Sequence, residues 1–303
     1  MLEELEGDLR ATVLESYKAL SSDYVDAYID GIAEDKRVLL IDVEADDVIV
    51  GFDLPARAAA GSLRGRVIPG RGFQIVSKAL EVHLSADKTV GWVFDEISYR
   101  VKHKGKIAAF PLRVTSVYER HDSSWLLVAK HVSRGVPDDD ALALAMQGRA
   151  PLPKTMGTTS SSVASVKEVQ DILQRLIHDE DDSRVRHVSL DADSLLIGSD
   201  PDRERRGPEI AEEATIRSHF GYDMSVRGTD LRVELSRSGS VAWAAANVIV
   251  EGARADRTVT LPLRVTWVLE RRDNAWVVVQ AHSSMPVRTK QMASLLEEVA
   301  GGT

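Results

Sequence analysis

Residues 111–133 read PLRVTSVYERHDSSWLLVAKHVS and residues 262–284 read PLRVTWVLERRDNAWVVVQAHSS, identical at 13 of 23 positions with a spacing of 151. The same spacing pairs Trp92 with Trp243 and VHLS at 82–85 with VELS at 233–236. Upstream, residues 37–53 match residues 184–200 at a spacing of 147, which implies a net four-residue insertion in one copy. A self-similarity of this length means two copies of one folding unit. The length of 303 residues suits two domains of ordinary size. Residues 148–162, GRAPLPKTMGTTSSS, are rich in Pro, Gly, Ser and Thr and read as a linker. The expected organisation is therefore a first copy at 1–147, a linker at 148–162 and a second copy at 163–303.

Each copy opens with helix and closes with strand. Leu9, Val13, Leu14, Tyr17 and Leu20, then Tyr24, Val25, Tyr28, Ile29 and Ile32, recur at helical spacing. In the second copy the segment from Val163 through Asp181 has the same character. PDDDALALAMQ, at 137–147, reads as a short helix with acidic residues at its start. Short strands are expected near 38–43 and 47–51, and near 185–190 and 194–198. The segment from Gly207 to Phe220 reads as a third helix, whereas 62–74 in the first copy, rich in Gly and Pro, reads as a loop. Four longer strands follow in each copy, at about 79–85, 90–101, 108–120 and 125–133, and at 230–236, 241–251, 258–271 and 276–284. RHDSSW and RRDNAW close hairpins. Helices followed by an antiparallel meander define an α+β layer fold.

The closing hairpin PLRVTWVLERRDNAWVVVQAHSSMP resembles that of the SnoaL-like branch of the nuclear transport factor 2-like superfamily. It is also similar to the association domain of calcium/calmodulin-dependent kinase, and LLIGSDPDRERRGPEI resembles the entry to the family's third helix. The resemblance covers both copies and implies two cone-like units, each with N-terminal helices packed on a curved antiparallel sheet. It also implies a pocket between helices and sheet and a convex face that commonly pairs, so that the chain would form an intramolecular pseudo-dimer. It places Trp92 and Trp243 on the convex face. It carries no particular function, because the superfold hosts isomerases, cyclases, dehydratases, transport factors and assembly domains. The pocket arginines of the kinase domain have no counterpart here: Ser116 and Val132 stand in the first copy, and Val248, Trp267 and Ser283 in the second.

Strand alternation sorts the side chains. Leu263, Val265, Trp267 and Leu269 are expected under the helices; Arg264, Thr266, Val268, Glu270 and His282 face outward. Arg113, Thr115, Glu119 and His131 repeat the outer set in the first copy. Repetition of Arg, Thr and His on one face favours a packing surface between copies, with Trp92, Arg113, Thr115, His131, Trp243, Arg264, Thr266 and His282 at the interface. Trp125 and Trp276, just after the hairpin turns, are expected to anchor the cores. The inner faces differ. The second copy offers Ala244, Ala246, Val248, Val250, Trp267, Ala281 and Ser283. The first offers Val93, Asp95, Ile97, Tyr99, Ser116, Tyr118, Lys130 and Val132. Asp95, Tyr99, Tyr118 and Lys130 form the one set resembling acid–base machinery, with an Asp95–Lys130 bridge as the inert alternative. Pocket candidates are accordingly Asp95, Tyr99, Ser116, Tyr118, Lys130, Trp267 and Ser283.

Thirty-eight Lys and Arg against 47 Asp and Glu give a formal charge of −9, unsuited to nucleic acid or an anionic membrane. There is no cysteine, hence neither disulfide nor thiolate chemistry, which fits a reducing, cytoplasmic setting. The first twenty residues read as an acidic amphipathic helix rather than a signal peptide, and no stretch is apolar enough to span a bilayer. The eight histidines show neither HxH nor HExxH, and no phosphate-binding glycine motif follows a strand. No metal or cofactor is expected. The reading that results is a non-catalytic small-molecule-binding or assembly module, with further homo-oligomerisation open. The alternative is a lyase, isomerase or cyclase acting on an apolar small molecule in the first copy.

Overall fold

The alternating apolar runs form two sheets, each backed by helix. The computed structural model describes residues 2–22, 25–52, 73–103, 106–178, 186–212, 224–254 and 257–288. Two units result, one built on Met1–Ser133 and the other on Arg134–Val287.

In the first unit, α1 (Leu2–Ser21) and α2 (Val25–Asp30) precede β1 (Leu39–Ile41), β2 (Val48–Val50), β3 (Phe73–Ser77), β4 (Glu81–Leu84), β5 (Val90–His103), β6 (Lys106–His121) and β7 (Ser124–Ser133). The sheet order is β2-β1-β7-β6-β5-β3, with β4 also on β5. Strand β1 joins β7 in parallel; the remaining pairs are antiparallel. Helix α1 buries Leu5, Leu9, Val13 and Tyr17, one stripe at helical spacing, and packs on β3 and β4.

The second unit contains α3 (Asp138–Met146), α4 (Ala164–His178), β8 (Leu195–Ile197), β9 (Glu204–Arg206), α5 (Glu209–Glu212), β10 (Met224–Leu235), β11 (Val241–Arg254), β12 (Arg257–Arg272) and β13 (Ala275–Ser284). Its order is β10-β11-β12-β13-β8-β9. Helix α4 buries Val166, Val169, Ile172, Leu173 and Ile177 against the inner sheet face, where Val248, Leu263, Val265, Trp267 and Leu269 meet it. The expected inner face of β12 is thus observed. Trp125 and Trp276 are buried, at 4% and 1% exposure. In the second hairpin Asp273 and Asn274 both have positive φ, at 47° and 64°, as a tight turn matched to strand twist demands.

Helix α3 packs on β12, and its Ala141 and Ala145 enter the second unit's core. The Pro- and Thr-rich segment after it is pinned rather than free. Thr159 donates its N–H to Leu231, its hydroxyl oxygen accepts the Val233 N–H, and Lys154 offers its carbonyl to Asn247. Residues 134–162 therefore belong with the second unit.

Two expectations need correction. Residues 185–190 form no strand over their described part, 186–190; Val188 makes only an isolated bridge to Val278, and the antiparallel partner of β8 is β9. The register of the upstream repeat also shifts. Ile41 lies opposite His131 and Ile197 opposite His282, so equivalent residues are 156 apart in β1 and β8 against 151 in β7 and β13. The bridge of Ile32 to Leu127 and of Val188 to Val278 fits the same pair of spacings. So do Gly51 and Gly207, both in the left-handed region at φ 76° and 49°. The first copy thus carries five more residues between these blocks, not four fewer.

The corrected register explains a shared ion-pair site. Asp35 and Asp191 correspond, as do Glu119 and Glu270. Arg37 bridges the first pair, two-pronged to Glu119 at 2.8 and 3.1 Å and bonded to Asp35 at 2.7 Å. In the second unit the bridge comes from the hairpin: Arg272 bonds Glu270 at 2.7 Å and reaches Asp191. The acids are retained, and the arginine comes from the turn before β1 in one unit and from the end of β12 in the other.

The third-helix expectation, 207–220, is met by α5 over Glu209–Glu212; residues 213–223 lie outside the described residues, as do 53–72, which hold most of the expected loop at 62–74.

Candidate functional site

The inner wall of the first unit comes from β5, β6 and β7, whose register sets Asp95 opposite Val114, Ile97 opposite Leu112, Tyr99 opposite Phe110 and Ser116 opposite Lys130. A bulge leaves Val128 unpaired between the pairs Val117–Ala129 and Tyr118–Leu127. It puts Leu127 on the same wall as Lys130 and Val132, which strict alternation forbids. The equivalent bulge in the second unit falls at Val279.

Between this wall and the helices lies a cavity of about 450 Å³. Ligand pockets span about 300–1,000 Å³. Apolar side chains including Leu40, Ile41, Phe52, Ile97, Val114 and Val132 dominate its lining, with Ser16, Tyr17, Tyr28, Asp42, Glu44, Asp47, Tyr99, Ser116, Tyr118 and Lys130 as its polar groups. Tyr99, Ser116, Tyr118 and Lys130 are thus brought together as the sequence suggested.

Asp95 is not among the lining residues. It is fully buried and accepts the backbone N–H of Ala79 at 3.2 Å and, more weakly, that of Lys78 at 3.4 Å. These donors come from the break between β3 and β4. Burial raises its carboxyl above the usual range; the Ser77 hydroxyl, these amides and the Tyr17 hydroxyl oppose the shift. The expected Asp95–Lys130 bridge does not form, because each group has its own partner. The Lys130 ammonium donates to the Tyr28 hydroxyl oxygen at 2.8 Å and sits 5.3 Å from the Tyr28 ring centre. Burial works against its charge, yet Tyr28 and Asp42 hold it above the ordinary lysine range. Burial likewise pushes the Tyr17, Tyr99 and Tyr118 hydroxyls up, so these remain neutral donors at neutral pH. Tyr28, marked in the sequence only by its helical spacing, and Asp42 complete the Lys130 site. Their joint approach to Lys130 depends on β1 and α2 meeting β7.

The second unit's cavity is about 160 Å³ and is lined by Val248, Leu263, Val265, Trp267, Ala281 and Ser283, with Arg203 from beside β9. Trp267 and Ser283 therefore reach a cavity, a small one. Lys130 is replaced by Ala281 and Asp95 by Ala246.

The remaining candidates share the opposite sheet faces. Thr115 pairs with His131 and Thr266 with His282; Trp92 lies opposite Val117 and Trp243 opposite Val268. Trp92 stacks on His83 of β4 with ring centres 6.1 Å apart. Arg113, His131, Arg264 and His282 are buried.

The family model described as SnoaL-like domain matches residues 9–139 and 166–288. The chain belongs to this family, in two tandem copies. Among solved structures it is similar to a nuclear transport factor 2-like protein with a cystatin-like fold from Novosphingobium aromaticivorans. That match has 14% identity and a TM-score of 0.38, covering 44% of this chain and 83% of that one. It is also similar to a protein described as a calcium/calmodulin dependent protein kinase II association domain from Xanthomonas campestris (21% identity, TM-score 0.36, covering 43% and 86%). A third is a nuclear transport factor 2-like superfamily protein from Salmonella enterica (16%, 0.36, covering 43% and 96%). No curated protein matches. Among the described residues no helix is long and apolar enough to cross a membrane.

Proposed function

We propose that the first unit binds a small, largely apolar molecule in its cone and that the second unit serves assembly. The observation that carries this is the contrast of about 450 Å³ with a converging polar set against about 160 Å³ with an apolar sheet wall. Family membership supports it only coarsely, since the fold serves binding and catalysis alike. The lyase, isomerase or cyclase alternative required Asp95 in the cavity as a base; its carboxylate instead serves the strand break. A thermal-shift panel of apolar aromatic molecules tests the binding reading. Binders are expected to stabilise the wild type and to lose that effect in Ser116→Phe, which fills the cavity. A panel with no binder, or binders indifferent to the plug, would sink it.

The assembly role rests on the outer faces. We infer that the set Trp92, Arg113, Thr115 and His131 pairs with Trp243, Arg264, Thr266 and His282, because identical polar types recur at equivalent places and each needs partners once desolvated. A tether makes such pairing intramolecular, at effective concentrations on the order of mM. A chain beginning at Arg134 is then expected to self-associate in sedimentation. A well-behaved monomer would contradict the pairing.

A further inference from the structure

Lys130 is the one inward cation of β7, on a wall that it shares with Leu127, Val132, Val114 and Ser116. Its ammonium has three N–H donors. One meets the Tyr28 hydroxyl oxygen, and no carboxylate lies within ion-pair distance of it among the described residues. The Tyr28 hydroxyl accepts that bond and keeps its own proton to donate. Two donors of one cation and one hydroxyl proton therefore face a cavity lined on its sheet side by Ile97, Val114 and Val132. Asp42 and Tyr28 support that charge, and the two remaining N–H donors can meet an acceptor that a ligand brings.

We propose that the first unit's cone takes an aromatic or alicyclic monocarboxylate, its carboxylate bridging the Lys130 ammonium and the Tyr28 hydroxyl and its apolar body lying against Ile97, Val114 and Val132. This rests on the binding reading of the same cone. Asp42, Glu44 and Asp47 line the cavity too and oppose any negative charge beyond the one that Lys130 meets. The neutral tyrosines Tyr99 and Tyr118 add hydrogen-bond donors without altering that balance. The second unit supplies the internal contrast: Ala281 stands where Lys130 does, so its cavity has no equivalent cation on that strand.

The test is isothermal titration of the full chain with 2-naphthoate and with 2-naphthamide, which share a ring system and differ in charge. Wild type is expected to prefer the acid by about tenfold or more, the margin of a charge-assisted hydrogen bond over a neutral one. Lys130→Met is expected to abolish that preference while still binding the amide. Tyr28→Phe keeps the cation and is expected to weaken the acid alone, which preserves the test should Lys130→Met fail to fold. Equal affinities in wild type, or a preference that survives both substitutions, would overturn the carboxylate assignment and leave cone binding standing. Binding of neither probe to wild type would remove the cone reading itself.

Discussion

Replacing Trp276 by alanine is expected to destabilise the second unit by about 3–5 kcal/mol, the range for emptying a buried aromatic site. For a unit of this size that corresponds to a fall in melting temperature of roughly 6–20 °C. The indole is 1% exposed and sits in the same core cluster as Leu269 and Val278, and as Ala141 and Ala145 of α3. Its ring N–H is buried without a hydrogen-bond partner, so its contribution is packing alone. Trp276→Phe is accordingly expected to cost much less than alanine, because no hydrogen bond is lost and most of the ring contact survives. Denaturant titration followed by far-ultraviolet circular dichroism measures both. The two units need not unfold together, so the shift belongs to the transition of the second unit. Trp125→Ala, at the equivalent turn, is the matching probe of the first. A loss under about 1 kcal/mol for Trp276→Ala would mean that the hairpin tryptophan does not anchor the core.

The parts of the fold that were legible in the sequence are those with long periodic segments. Strands β6 and β7 and strands β12 and β13 repeat with thirteen identities over one 23-residue block, and alternation alone placed Leu263, Val265, Trp267 and Leu269 on the helix side. One short strand of the second copy, expected at 185–190, was misplaced for a physical reason. Residues 35–51 align with 191–207 at a spacing of 156 with six identities in seventeen, and residues 37–53 align with 184–200 at 147 with the same number. Three-residue strands carry too little pattern to break that tie. What breaks it is non-local: LLI at 39–41 and at 195–197 pairs in parallel with the last strand of each sheet. The position of Gly51 and Gly207 in the left-handed region was an additional signal, since both follow the second short strand directly.

The candidate site was legible by face and not by partner. Alternation put Tyr99, Ser116, Tyr118 and Lys130 on one wall, where they are found. It cannot say which two groups touch. Asp95 and Lys130 share a face but sit on strands separated by β6, and each is claimed by an element remote in sequence. Asp95 is taken by the amides at 78 and 79, Lys130 by Tyr28 of α2. A break between β3 and β4 frees those amides, and no local motif announces it.

Placing an aspartate at Ala246, the second unit's counterpart of Asp95, separates the two explanations of a buried carboxylate. Ala246 is fully buried opposite Val265, within the apolar cluster. Strand β10 runs past it with only an irregularity between Thr229 and Arg232, where Asp230, at φ 56°, accepts from Asn247. The place of Ser77, whose hydroxyl helps to hold Asp95, is taken there by Gly228, which has no side chain to donate. Ala246→Asp is therefore expected to cost roughly 3–5 kcal/mol at pH 8, as an unpaired buried charge does. Burial raises the folded-state pKa above the unfolded value, so the unfolded chain releases its proton first as pH rises. The ionisation part of the penalty is then absent below the unfolded carboxylate range near about pH 4 and grows as pH climbs through and beyond it. Asp95 carries a shift of the same sign, but its amide and hydroxyl partners oppose it, so Asp95→Asn is expected to change the pH dependence far less. Denaturant titrations of wild type and both variants between pH 5 and pH 8 give the two slopes. A pH-independent cost for Ala246→Asp would mean that its carboxylate finds partners as Asp95 does. The divergence of the two cones would then lie in side-chain choice alone and not in the strand break that Asp95 serves.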